Sequence, residues 1–139
     1  MSELLLDVTK QFARGPTISA RFAIPSTRLG VTVLLGSSGC GKTTVLRCLA
    51  GLEHPSEGKI VFGGEIWFDS RAKIDLPPQR RGIGYMFQNF ALFPHLTVEQ
   101  NINYGVQNER ARRRLEVVAE LMSRFQLGGL SKRFPHQIS

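Results

Sequence analysis

One stretch of this 139-residue sequence has residue types and spacing suited to chemistry: Gly36-Ser-Ser-Gly-Cys-Gly-Lys-Thr43. It fits G-x-x-x-x-G-K-[ST], the phosphate-binding loop. Each fixed position has a physical reason. Gly36, Gly39 and Gly41 let the backbone turn tightly and bring its N–H groups close to phosphate oxygens, and Ser37, Ser38 and Cys40 lie in the same cradle. A helix that starts here points its N-terminal N–H groups and positive dipole end at the same anion. Lys42 reaches the β- and γ-phosphates as a mobile point charge. Thr43 offers its hydroxyl to Mg²⁺, and Thr44 offers one to the α-phosphate. Cys40 reads as a tolerated small residue and Cys48 as core. His54 and His95 read as loop residues, with no second ligand at metal spacing.

The loop works only if a strand leads into it and a helix leaves it. Val31-Thr-Val-Leu-Leu35 is a short apolar, β-rich run, which predicts a buried strand. Thr43 to Leu49 predicts a helix, with Val45, Leu46 and Leu49 on one face and Gly51 as its stop. Ahead of these, Leu4 to Val8 reads as a strand, and Ile18, Ala20 and Phe22 alternate as in a half-buried strand. Pro55 and Gly58 mark a turn. Lys59 to Phe62 and Glu65 to Phe68 flank Gly63-Gly64, a β-hairpin signal. Ser70 to Arg81 reads as a loop and Gly82 to Phe87 as a further strand. Phe90 to Thr97 is irregular, Val98 to Tyr104 a short helix capped by Thr97, and Glu109 to Gln126 an amphipathic helix ended by Gly128-Gly129. The order predicts an α/β domain with a β-rich N-terminal part.

Composition narrows the class. Hydrophobic residues are 42% and charged residues 21%, too apolar for a disordered chain. Two Cys exclude a disulfide scaffold. No apolar run approaches the length of a membrane span. Acids near the N-terminus argue against a signal peptide and for the cytosol. The net charge is +7. From Glu109 to Arg133 seven bases face three acids, so +4 of it lies there; the reading is a solvated helix face.

Several further motifs, in order, give the chain a resemblance. They are Leu49-Ala-Gly-Leu52, Pro55-Ser-Glu-Gly58, Pro78-Gln-Arg-Arg81, Ile83-Gly-Tyr-Met-Phe-Gln88, Leu92-Phe-Pro-His-Leu-Thr-Val98 and Asn101. With the phosphate loop they resemble the nucleotide-binding subunit of an ATP-binding-cassette (ABC) transporter, over nearly the whole chain. The resemblance implies a P-loop NTPase core with an N-terminal antiparallel β subdomain and the start of a helical subdomain, incomplete. It divides the chain into an ATP-binding core and β subdomain over about 1–90, and a Q-loop with the start of the helical subdomain over about 91–139.

The same resemblance implies roles. Phe12 stacks on adenine. Gln88 is the Q-loop glutamine, which contacts Mg²⁺ and the attacking water, so Lys42 and Gln88 are the catalytic pair and Thr43 and Gln88 the metal contacts. Asn89 to Val98, with Phe90, Leu92 and Phe93 exposed, forms the surface that meets the membrane subunit. The implied cofactors are ATP and Mg²⁺. The implied partners are a transmembrane permease and a second ATP-binding subunit in a homodimer, at the cytoplasmic face of the inner membrane, with no nucleic acid. Gly64 to Ser70, Ile74 to Arg81 and Leu92 to His95 are most similar to molybdate importers, and sulfate, iron and polyamine importers share much of the pattern.

Ile138 and Ser139 match the first two residues of the family's Leu-Ser-Gly-Gly-Gln signature. The resemblance then implies a chain that stops short of the Walker B aspartate and catalytic glutamate, with weak ATP binding and no turnover. Two alternatives stand beside this. One is a P-loop ATPase of nucleic-acid repair or condensation, which the 46 positions from Lys42 to Gln88 disfavour because such cassettes carry a long insertion there. The other is a fragment without function.

Overall fold

The computed structural model describes residues 3–25, 30–89, 91–106 and 109–138. Phe90 and Ser139, which the sequence places in the docking segment and the signature, lie outside them. The chain divides into two compact units, Met1–Tyr85 and Met86–Ser139. No helix among the described residues is long and apolar enough to cross a membrane.

The first unit is one antiparallel sheet with a helix on it. Strands β1 (Glu3–Gln11), β2 (Thr17–Pro25), β3 (Glu57–Phe62), β4 (Glu65–Asp69) and β5 (Ile74–Asp75) stand in the order β2-β1-β3-β4-β5. The register sets Leu6 against Phe22 on one side and Ile60 on the other, and Val8 against Ala20. The alternating apolar positions therefore fall on one face. Gly63 and Gly64 both have positive φ, as a two-residue hairpin turn of this twist requires. A register shift between Ile60 and Val61 leaves Trp67 as the extra residue of β4, so Trp67 and Phe68 are both buried although adjacent.

Helix α1 (Lys42–Ala50) closes the core. Val45 packs with Leu6, Val8, Ile60, Trp67 and Phe68, and Leu34 and Leu49 flank them. Burying apolar surface of this kind stabilises a fold by about 25 cal/mol per Å². Gly51 ends α1 in the left-handed conformation (φ 74°), as expected of a stop. Burial, reinforced by Glu53, pushes the Cys48 thiol above its ordinary value of 9.0.

Several expectations of local structure need correction. Residues 31–35 are not a strand: Val31 is 93% exposed and Leu35 89%. Residues 82–87 are not one either, and Met86 is 88% exposed. An apolar run becomes a buried strand only beside hydrogen-bonded neighbours, and the five strands described pair with one another instead. Gly58 lies inside β3, not in a turn, at a point where β1 comes too close for any side chain.

Among its described residues the second unit holds two α-helices, α2 (Val98–Gly105) and α3 (Ala111–Arg124). Thr97 caps α2 through a capping box: its hydroxyl accepts from the Gln100 N–H, and the Gln100 side chain accepts from the Thr97 N–H. The Val98 and Glu99 N–H groups donate to the Arg133 and Ser131 carbonyls, which ties the start of α2 to the segment after α3. On α3 the solvated face is as expected, with Arg112 and Arg113 both reaching Glu116. The helix ends at Arg124, ahead of Gly128-Gly129, because Gln126 turns to positive φ. Phe93 is not exposed as expected. It is half-buried, with its ring 4.5 Å from that of Tyr104. Leu92 is exposed.

Candidate functional site

The glycine-rich loop is seated on the sheet through β2. Ile18 pairs with Lys10 across the β1–β2 ladder. Its side chain lies directly against Gly41, where a Cβ would stand 2.6 Å from Ile18 Cγ2. Gly41 also has φ of 100°, so no other residue fits without displacing β2 or straining the loop. Ser38 and Gly39 form the bend at the tip, and the Cys40 N–H donates back to the Ser37 carbonyl at 3.4 Å. Gly36 meets Cys40 Sγ so closely that a Cβ would stand 2.7 Å from it.

The helix that leaves the loop starts open. Gly41 is its N-cap, no side chain caps it, and its first turn carries no acid. The N–H of Val45 makes the first intrahelical bond, to the Gly41 carbonyl at 3.0 Å. The N–H groups ahead of it carry the positive end of the helix dipole with no intrahelical acceptor. Helix α2 makes the contrast, since the Thr97 hydroxyl takes its Gln100 N–H and the Arg133 and Ser131 carbonyls take those of Val98 and Glu99.

Lys42 turns back over the loop. Its ammonium donates to the Gly36 carbonyl at 2.8 Å, to the Ser37 carbonyl at 2.7 Å and to Cys40 Sγ at 3.6 Å. Open backbone donors, a positive helix end and an ammonium thus lie together in one loop. Such a set can hold a phosphate chain. Thr43 is exposed and Thr44 half-buried at the same helix end. A hydroxyl there suits Mg²⁺, which binds few protein ligands and takes the rest from phosphate and water.

Phe12 directly follows β1, next to Gln11, whose partner is Thr17. It therefore stands at the end of the sheet where Ile18 supports Gly41. It is 39% exposed, not a core residue, and the Lys10 ammonium lies 5.3 Å from its ring centroid. Gln88 is an exposed turn residue of the second unit, whereas the loop and Phe12 belong to the first.

Sequence reasoning missed the side chains that hold this assembly from behind. Arg81 is 4% exposed. Its NH1 donates to the Cys48 and Leu49 carbonyls at the C-terminal end of α1, at 2.9 and 2.7 Å. Its Nε donates to the Leu76 carbonyl at 2.8 Å, and its NH2 to Trp67 and Asp75. Burial pulls its guanidinium below its ordinary value while Asp75 opposes that pull. The second Asp75 oxygen meets His54. Lys10 supports the segment after α1, with Nζ 2.6 Å from Glu53 and 2.8 Å from the His54 carbonyl. The one available signal for Arg81 was a charged motif, Pro78 to Arg81, recurring in the resemblance without a role.

The model of the family described as "ABC transporter" matches residues 25–139. The chain belongs to that family. It is 44% identical over 110 residues to the molybdenum import ATP-binding protein ModC 1 of Azotobacter vinelandii, covering 79% of this chain and 30% of that protein. It is 39% identical over 142 residues to the sulfate/thiosulfate import ATP-binding protein CysA of Synechocystis sp., covering all of this chain and 38% of that one. The chain thus spans about a third of the length of these curated relatives. Among solved structures, the ATP-binding cassette MJ0796, a dimer in a post-hydrolysis state bound to ADP and Pi, matches at a TM-score of 0.67 and 24% identity. That match covers 99% of this chain and 63% of the cassette, and at such identity it speaks to the fold, an ABC ATPase cassette of the α/β class.

Proposed function

We propose that this chain is the ATP-holding part of the ATP-binding subunit of an ABC importer, one that couples ATP binding and hydrolysis to uptake of molybdate or a related oxyanion. The observation that carries the reading is the open N-terminus of α1 beneath the folded-back Lys42 ammonium. The triphosphate would draw Lys42 from the Gly36 and Ser37 carbonyls, and the loop from Gly36 to Thr44 would line it. Thr43 and Gln88 would hold Mg²⁺. When bound, that ion neutralises charge between the phosphates. Phe12 would stack on adenine. Residues about 1–90 would form the ATP-binding core, and about 91–139 the Q-loop and the start of the helical subdomain. The exposed Leu92 would belong to the face that meets a permease, at the cytoplasmic side of the inner membrane, in an assembly with a second ATP-binding subunit.

Molybdate rests on the ModC relative, and the sulfate/thiosulfate relative supports the wider class of tetrahedral oxyanions. The chain alone would bind ATP weakly, without turning it over. Calorimetric titration with ATP, tripolyphosphate and Mg²⁺ tests this. Expected are saturable ATP binding strengthened by Mg²⁺ and no steady release of phosphate. No binding of either polyphosphate would refute the reading. Salt-sensitive affinity for duplex DNA would favour the repair-class alternative instead.

A further inference from the structure

Helix α1 is held at the end opposite its phosphate loop by one buried arginine. The last carbonyls of a helix carry the negative end of its dipole and have no intrahelical donor. In α1 two of these, Cys48 and Leu49, accept from Arg81 NH1. The remaining donors of the same guanidinium reach Trp67 in β4, Asp75 in β5 and Leu76 just after it. The plane also lies 5.7 Å from the Trp67 ring centroid. One planar group thus bonds the helix and the far edge of the sheet at once, a task that the fork of arginine performs and the point charge of lysine does not. Gly51 completes the fit, because a Cβ there would stand 2.8 Å from Arg81 Nε.

We infer that Arg81 is a positioning residue for nucleotide binding: it fixes the direction of α1 and so the place of the phosphate loop at the helix's other end. The inference rests on the nucleotide reading of that loop. The nine residues of α1 span about 13 Å, so a tilt of roughly ten degrees at the Arg81 end moves the loop by about 2 Å. Misplacing a binding group by about 1 Å can cost on the order of a hundredfold in function. The loop itself cannot absorb such a shift, since Gly41 already lies against Ile18.

The test compares the wild-type chain with Arg81→Ala, Arg81→Lys and a core control, Phe68→Leu. Two quantities are read: ATP affinity by calorimetry, and amide exchange of Thr43, Thr44 and Val45 without nucleotide. Expected for folded Arg81→Ala is a loss of about tenfold or more in affinity with faster exchange in the first turn of α1. Low-millimolar guanidinium should reverse both, and equal ammonium should not. Should Arg81→Ala fail to fold, Arg81→Lys carries the test, with an intermediate loss expected. The control should lose stability but not affinity. Wild-type affinity and exchange in a folded Arg81 variant, or a loss no greater than in the control, would overturn the inference. If the wild type binds no ATP, the nucleotide reading has failed, and unchanged first-turn exchange in Arg81→Ala would still refute the positioning role by itself.

Discussion

The Lys42 ammonium lies 2.8 Å from the Gly36 carbonyl oxygen, so a side chain at one end of the phosphate loop is bonded to the backbone at its other end. The same ammonium holds Ser37. Lys42 therefore shapes the loop as well as supplying its charge. Lys42→Ala should cost ATP affinity by about 1.5–3 kcal/mol, the range of a hydrogen bond to a charged group. It should also speed amide exchange of Cys40, whose N–H closes onto Ser37. Titration and exchange on the same sample check both, and unchanged ATP affinity would reject the phosphate role of the loop.

Phe12 separates the base from the phosphates experimentally. Its ring is partly exposed beside Lys10, at the end of the sheet that supports Gly41. Phe12→Ala should weaken ATP by about 1–3 kcal/mol, the contribution of a base stacked on an aromatic ring, and leave tripolyphosphate affinity alone. Equal losses for both ligands would place Phe12 in the loop's support and not on adenine.

Much of the first unit could be read from residue order alone. The β1–β2 alternation, the Gly63-Gly64 hairpin and α1 with its Gly51 stop depend on local spacing, and all form where spacing puts them. The two apolar runs at 31–35 and 82–87 depend on distant neighbours, which composition does not encode. For the site, the loop was legible because its glycines and lysine do local work. Arg81 was not, because its partners Cys48, Leu49 and Trp67 are distant in sequence and are backbone carbonyls that any residue supplies. Lys10 escaped for the same reason, reaching the His54 carbonyl from β1.

Acid should loosen the support behind α1. The Lys10 hydrogen bond holds the Glu53 carboxyl below its ordinary 4.5, with burial opposing and Lys10 and Arg47 charges assisting. A carboxylate lowered in the folded state stabilises fully above its unfolded value and loses that contribution as pH falls through the folded one. Asp69 shifts the same way, through the Ala72 N–H first and then Lys59. Thermal stability should therefore be level from neutral to about pH 5 and decline below it. Glu53→Gln should lower stability at pH 7 and shallow the acid decline, which the Asp69 contribution keeps from vanishing. Thermal melts across that range decide it, and a parallel decline in the variant would remove Glu53 from the account.

Asn101 organises the segment ahead of α2 in the way Lys42 organises the loop ahead of α1. Its Oδ1 accepts from the Phe93 N–H at 2.9 Å, and its Nδ2 donates to the Phe93, Leu96 and Thr97 carbonyls at 3.0–3.1 Å. An amide is the side chain that can do both at once, since aspartate at neutral pH only accepts. Asn101→Asp should therefore keep the Phe93 amide protected while the Leu96–Thr97 backbone loosens. Asn101→Ala should lose both, at about 1–3 kcal/mol of local stability. Because Phe93 also packs on Tyr104, the ring contact would persist and the change would show in amide exchange before any shift in aromatic signals. Equal protection of the Phe93 amide in the wild type and the alanine variant would mean that the ring contact, and not Asn101, holds this segment.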